Sequence, residues 1–267
     1  MHFEKQPGVP EFECTVLCPK SSDYVLLIPI INEGERIKKE LQRAYKSNIA
    51  EYADIVICDG GSTDGCISED NLKKLSVNTL LIKNDIGKQG AQLRMGIWWA
   101  QQRGYKGIIT IDGNNKDSIE DVPQFIKKLE QGYDFIQGSR FIKGGKAINT
   151  PLIRLLAVKL IHSPIISITA GRRFTDTTNA YRAYSIRYLT DIRVQPLRDE
   201  FMTYELLAYL SVRATQLGYK ACEIPVTRVY PKYGKIPTKI SIFKGNGELL
   251  KILLKNMIGA YKPRREK

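Results

Sequence analysis

Tyr24–Ile31 (YVLLIPII) constrains this chain more than any other segment: it is an unbroken apolar run of strand length with no polar alternation. Such a run fits a strand covered on both faces, as in parallel α/β sheets. Further apolar runs follow at Asp54–Cys58, Val77–Ile82, Gly107–Ile111 and Tyr133–Gln137. Between them helical spacing recurs. Ile37, Leu41 and Tyr45 share a face within Glu35–Lys46, Gly87–Arg103 closes at Gly104, and Asp121–Glu130 carries Pro123 in its first turn. Strands alternating with helices predict an α/β fold, its central sheet mostly parallel and its helices on both faces. Ligands of such sheets bind beyond the carboxyl ends of the strands. The polar clusters Asn32-Glu33, Asp59–Asp64 and Asp112–Asp117 all fall there.

The second half reads differently. Thr150–Ile168 is apolar but carries Arg154, Lys159 and His162, and Pro164 is expected to kink or break it. Glu200–Leu217 has a helical pattern ended by Gly218, and Tyr219–Pro225 reads as a strand. Residues 1–22 read as an irregular arm, 23–240 as one domain and 241–267 as an amphipathic, basic end. No stretch approaches the roughly 18 consecutive apolar residues needed to span a bilayer, so no membrane span is expected. The first residues lack an apolar signal core, so a cytoplasmic location is expected. Five scattered cysteines read as free thiols of a reducing compartment. The net charge of +13 is concentrated between Arg140 and Lys267, which points to an anionic ligand or surface met by that half. No nucleic-acid-binding motif accompanies it, and nucleic acid is not an expected partner.

Each polar cluster suggests chemistry. Asp112 with Asn114 at a strand end suits a hard divalent cation, Mg²⁺ or Mn²⁺, bridging two phosphates, with Asp117 as a further carboxylate. The same residues also read as a plain polar turn. Asp59 is placed to accept hydrogen bonds from a base or ribose, and Gly60-Gly61 leaves room for close approach. Lys88, before a helix, suits a phosphate, though a solvated lysine fits equally. Asp199, Glu200 and Glu205 surround a helix start, where they serve either as dipole partners or as a base acting on an acceptor.

Taken together, these segments resemble the family 2 glycosyltransferases, and within them the polyprenyl-phosphate sugar synthases. Ile28-Pro29-Ile30-Ile31-Asn32-Glu33 is similar to the opening P-x-x-N-E segment, Asp59–Asp64 to the D-x-x-S-x-D loop, and Gly87–Ala91 to the Gly-Lys-Gly-x-A element. Asp112-Gly113-Asn114 stands in the place of D-x-D. Gly138–Phe141 with Gly144-Gly145 resembles G-S-R-(F/Y)-x-x-G-G, and Asp176–Arg182 resembles D-x-T-S-G-(F/Y)-R. Glu205, Gly218–Lys220 and Glu223–Val226 complete the series, which covers about residues 24–240. Departures are Asn114 for the second Asp, Gln89 and Ala180 for glycines, and a loop at 228–239 without the usual Arg-x-x-Gly register.

The resemblance implies a GT-A fold, with a donor half at 23–145 and an acceptor half at 146–240. It also implies a metal-dependent, inverting transfer from a nucleotide-diphospho-sugar. Pro29, Asn32, Glu33, Asp59, Lys88 and Asp112 are then expected on the donor, with Arg140 near phosphate. A lipid-phosphate acceptor would be positioned by Arg140, Arg182, Lys232 and Lys235. A glycan-hydroxyl acceptor would make Asp199, Glu200 or Glu205 the base. Peripheral membrane contact is expected through Leu249–Ile258 and the basic tail. Rival readings are a nucleotidyltransferase, which would carry a Gly-rich loop after the first strand, and a noncatalytic member of the fold.

Overall fold

The computed structural model describes residues 2–3, 6–232 and 244–263. β1 (His2–Phe3) and β2 (Phe12–Val16) precede β3 (Tyr24–Ile30). Then come α1 (Glu35–Lys46), β4 (Asp54–Asp59), α2 (Glu69–Lys74), β5 (Val77–Lys83), α3 (Gln89–Gln102), β6 (Gly107–Thr110), α4 (Val122–Glu130) and β7 (Phe135–Ser139). This is the alternation that the apolar runs predicted. The strands form one sheet in the order β1-β2-β5-β4-β3-β6, continued by β9 (Arg182–Ser185), β7 and β10 (Ala221–Pro225). β5-β4-β3-β6 pair in parallel, as do β7 and β10; β2 and β9 run against their neighbours.

β3 feeds two cores because successive side chains point to opposite faces. Val25 and Leu27 join α3 on one side, through Leu93, Met95, Ile97 and Trp99. Leu26, Ile28 and Ile30 join α1 and α4 on the other, through Ile37, Leu41, Phe125 and Ile126. Register then sets the site: Ile30 lies opposite Asp59, and Leu27 opposite Thr110, so three strands release their loops at one edge.

Two expectations need correction. The arm of residues 1–22 is not irregular. β2 pairs antiparallel with β5, burying Phe12 and Cys14 while Glu13 stays exposed. That alternation of period 2 was present in the sequence. Thr150–Ile168 is not broken at Pro164 either. β8 (Lys146–Ile148) leads into α5 (Leu152–Ala157), and a π turn at Val158–His162 carries the chain into α6 (Ser163–Ala170). Pro164 follows that wider turn, in the first turn of α6, where its missing N–H disturbs the ladder least. The joined helix, Leu152–Ala170, is long and apolar enough to cross a bilayer by length and composition, with a mean hydropathy of 1.6 and 22% of that window buried. A count of consecutive apolar residues missed it because Arg154, Lys159 and His162 interrupt the run.

The chain continues through α7 (Ile186–Leu189), α8 (Glu205–Gln216) and β11 (Thr227–Val229), which pairs with β8, to α9 (Lys244–Met257). α6 packs on both α8 and α9. The helix predicted from Glu200 starts at Glu205, leaving residues 199–204 as a loop against the start of α3.

Candidate active site

The strand-end loops are held before any ligand arrives. Asn32 sits at φ 49°, a left-handed position that asparagine tolerates. Its backbone N–H donates to Ser62 Oγ at 2.9 Å, and its Oδ1 accepts from Thr63 N at 2.8 Å. Gly34 N donates to Asp64 Oδ2 at 2.8 Å. The loops after β3 and β4 are thereby zipped together. Beneath them, Gln92 Nε2 donates to the carbonyls of Ile30 and Cys58 at 2.5 and 2.8 Å.

The loop after β6 is fixed from below. Buried Glu40 accepts from Asn115 N at 2.6 Å, and Arg43 donates to Asn115 Oδ1 at 3.0 Å. Burial raises the Glu40 carboxyl well above the ordinary range, which favours its neutral form. Gly113 is closely packed: a Cβ there would lie 2.4 Å from Ile30 Cγ2, so a side chain would force the core beneath it to shift. Gly90 is equally constrained, because a Cβ would meet Phe201 O at 2.6 Å where the 199–204 loop crosses the start of α3.

These loops line a cavity of ≈ 1180 Å³. Asp112 Oδ1 accepts from Gln89 Nε2 at 2.8 Å, and Oδ2 accepts from Asn114 Nδ2 at 3.3 Å and Arg228 Nη2 at 3.2 Å. Burial opposes ionisation of Asp112, but Arg228 and Lys116 outweigh it and hold the carboxyl below its usual range. Arg228 also donates to Asp117 Oδ2. Asp117 is fully buried, and there desolvation prevails and raises its carboxyl. Burial and the charge of Arg228 bring the Lys116 ammonium down to about 8. The same wall carries Arg140, Arg154 and Tyr230.

The cavity changes character toward its other end. Leu152, Ile153, Ala157, Val158 and Ile166 from the joined helix face Leu249, Ile252 and Leu253 of α9. Beyond this lining the two helices expose Leu160, Ile161, Ile168, Leu254 and Met257, and Ile258 is exposed just after α9.

Of the residues singled out in the sequence, Pro29, Asn32, Glu33, Lys88, Asp112, Arg140 and Arg182 line the cavity. Glu33 is paired with Arg36 at 2.8 Å. Asn114 stands beside Asp112, its Oδ1 buried and without a hydrogen bond. The remaining expectations shift. Asp59 accepts from Gly61 N, Ser62 N and Ser62 Oγ and so shapes its own turn; the cavity-lining residue there is Gly60. Asp117 lies outside the lining and serves as the counter-ion of Arg228.

Arg182 directs its guanidinium to the carbonyls of Thr177, Asn179 and Leu207 and to Ser211 Oγ, so it braces α8 against the sheet. Arg140 is locked on buried Asp176 at 2.6 and 2.7 Å. Asp199, Glu200 and Glu205 do not reach the lining. Asp199 pairs with Arg94, Glu200 with Arg198, and Glu205 accepts from the N–H and hydroxyl of Thr203. Lys232 is exposed on the loop after β11, and Lys235 lies outside the described residues.

Sequence reasoning missed Arg228, Lys116 and Tyr230 as site residues. One signal was available: Arg228 interrupts the otherwise apolar and small run Ile224–Val229, and a charge inside a buried strand needs a partner.

Comparison with known proteins agrees with this geometry. Residues 25–192 match Glycosyl transferase family 2. The chain is 25% identical over 227 residues to the polyprenol monophosphomannose synthase of Mycolicibacterium smegmatis, covering 84% of this chain and 83% of that protein. It is 28% identical over 212 residues to the undecaprenyl-phosphate mannosyltransferase of Micrococcus luteus, covering 78% and 84%. Among solved structures, glucosyl-3-phosphoglycerate synthase from Mycobacterium tuberculosis with uridine diphosphate superposes with a TM-score of 0.62 at 14% identity, covering 88% and 79%. The parallel sheet with its ligand edge at β3, β4 and β6 is therefore a GT-A fold, and the chain belongs to glycosyl transferase family 2 and is a glycosyltransferase.

Proposed function

We propose that this enzyme moves a sugar from a nucleotide-diphospho-sugar to the phosphate of a polyprenyl phosphate, at the cytoplasmic face of a membrane. One observation carries the reading: the cavity is cationic and polar at the strand ends and apolar between the joined helix and α9. A lipid phosphate has the same two parts. The names of the two mannosyl-transferring relatives point to the same acceptor class.

The carboxylates of the lining support it. Among the described residues, the carboxylates of the lining are Glu33, held by Arg36, and Asp112. Neither stands as an uncommitted base for a sugar hydroxyl. A phosphate acceptor needs none, because its oxygen is already anionic. That oxygen attacks the anomeric carbon, the bond from this carbon to the diphosphate breaks, and the electron pair leaves with the nucleoside diphosphate. Attack in line inverts the carbon, and no proton has to move.

A divalent cation, Mg²⁺ or Mn²⁺, fits Asp112 and Asn114. The buried Asn114 Oδ1 has no hydrogen-bond partner, and desolvating an oxygen without return is unfavourable unless something takes it. The chemistry of such an ion is to neutralise the diphosphate as it departs. Gln89 orients Asp112 for that duty, Lys88 stands over the start of α3 where phosphate is favoured, and Lys116 adds positive charge to the wall. The exposed apolar faces of the joined helix and α9, interspersed with exposed Lys159, Lys251 and Lys255, suit contact with an anionic lipid surface.

The test is nucleotide release from a panel of nucleotide sugars with Mn²⁺, with and without a short polyprenyl phosphate. Release that needs the lipid phosphate, and falls at least about 100-fold in Asp112→Ala, is expected. Release supported equally by the dephosphorylated polyprenol or by a glycan would overturn the acceptor assignment.

A further inference from the structure

Arg228 does not behave like the other cations of the site. Arg140 and Arg182 are locked by bonds that leave them structural: a bidentate carboxylate in one case, three carbonyls and a hydroxyl in the other. Arg228 divides itself between two carboxylates of different depth. Nη1 holds Asp117, which is fully buried and out of the cavity. Nη2 reaches Asp112 at 3.2 Å, a length near the outer edge of a good hydrogen bond, and Asp112 is the partly accessible residue of the pair. The backbone is pinned as well. Val229 N donates to Lys116 O at 2.8 Å and Ser118 N to Thr227 O at 2.9 Å, so β11 is stitched to the loop that carries Asp112 and Asp117.

One end of the guanidinium is therefore anchored, and the other rests on the carboxylate that a divalent ion would need. Two cations cannot share that oxygen at no cost. With an ion on Asp112 and Asn114, repulsion weakens the Nη2 contact while the Asp117 anchor remains. The freed N–H groups stay at the cavity wall, beside Lys116 and Arg154.

Building on the metal-dependent reading above, we propose that Arg228 is an exchangeable partner: it holds Asp112 while the divalent ion is absent, and grips a phosphate of the bound substrate once the ion has taken Asp112. The pairing gives the site an order. An empty site keeps its carboxylate neutralised, and metal loading creates the phosphate contact. Asn114 makes the device pertinent to this chain: a neutral oxygen replaces a second carboxylate, so the ion draws less on its ligands and competition from Arg228 weighs more.

Removing Arg228 alone strands the buried Asp117 charge and risks the fold, so the informative variant is the double Asp117→Asn/Arg228→Met, with Arg228→Lys as a charge-keeping companion. Two bindings are measured on the full chain: Mn²⁺ without substrate, by the loss of the free-ion paramagnetic resonance signal, and a monoalkyl phosphate at saturating Mn²⁺, by calorimetry. The double variant should bind Mn²⁺ about tenfold more tightly and the alkyl phosphate about tenfold more weakly, with Arg228→Lys between it and the parent in both. Mn²⁺ affinity that is unchanged or weaker in the double variant, while the parent binds Mn²⁺, overturns the exchange and leaves the metal reading standing. An unchanged affinity for the alkyl phosphate overturns the second half of the exchange. Mn²⁺ binding by neither protein removes the metal reading, and this inference with it.

Discussion

The two ends of the cavity are built on opposite principles. At the strand ends, the loops are tied down by hydrogen bonds within the fold: Asn32 to Ser62 and Thr63, Gln92 to two strand carbonyls, Asn115 to Glu40, Arg140 to Asp176. At the far end, the joined helix and α9 present apolar side chains to the outside. Leu160, Ile168 and Ile258 are each at least 70% exposed. The first end resists change because its polar groups satisfy one another. The second is unfinished as a protein surface, since apolar area left in water costs roughly 25 cal/mol per Å² that an apolar environment would recover. One end is preorganised for a charged, hydrophilic donor, and the other is open to a lipid.

Three variants test that contrast, and the largest effect falls at the preorganised end. Asp176→Ala leaves the buried Arg140 guanidinium without its bidentate partner. A loss of about 3–5 kcal/mol is expected in chemical denaturation, the usual cost of orphaning a buried charge. A loss under about 1 kcal/mol would mean that this end is not held by its buried ion pair.

At the open end the opposite pattern is expected. Leu160→Glu/Ile168→Glu should change stability by no more than about 0.5 kcal/mol, because neither side chain is buried. Partitioning onto vesicles containing anionic lipid should fall at least about tenfold. Unaltered vesicle binding would place the membrane contact elsewhere.

The smallest effect lies at the junction of the two ends. Burial holds the His162 imidazole below its ordinary value, so the folded state favours the neutral form. The stability linked to this group is complete above about pH 6.5 and is lost as pH falls through the folded-state pKa. Tm measured between pH 7.5 and 5 should therefore drop further in the parent than in His162→Gln. Parallel Tm curves would show that the ring protonates freely where it stands.

Much of the preorganised end was legible in the sequence. The apolar runs that became β3, β4 and β6 needed no partner to be recognised, and their polar ends marked the loops around Asn32, Gly60 and Asp112. What the spacing could not give was the direction of each carboxylate. Asp59, Asp117, Asp199, Glu200 and Glu205 have the residue type of ligands or bases. Each instead meets a donor close at hand, the N–H of Ser62 for Asp59 and Arg94 for Asp199. Arg94 and Asp199 are over a hundred residues apart in the chain, so no local pattern announces the pair.

The apolar end was misread for a related reason. Pro164 signals a break in an isolated helix, and Arg154 and Lys159 signal an interrupted apolar run. In the folded chain the π turn accommodates the proline, and both cations lie against aromatic rings, Arg154 near Tyr230 and Lys159 near Phe141.

By itself, then, the sequence determined the alternating sheet and the edge where ligands bind, because burial on two faces and helical spacing are properties of neighbouring residues. Only the tertiary structure decided which charged groups face the cavity. Whether a carboxylate or guanidinium is available to a ligand depends on the counter-charge that reaches it through space, and for Asp112, Asp117 and Arg228 that counter-charge comes from the far end of the domain.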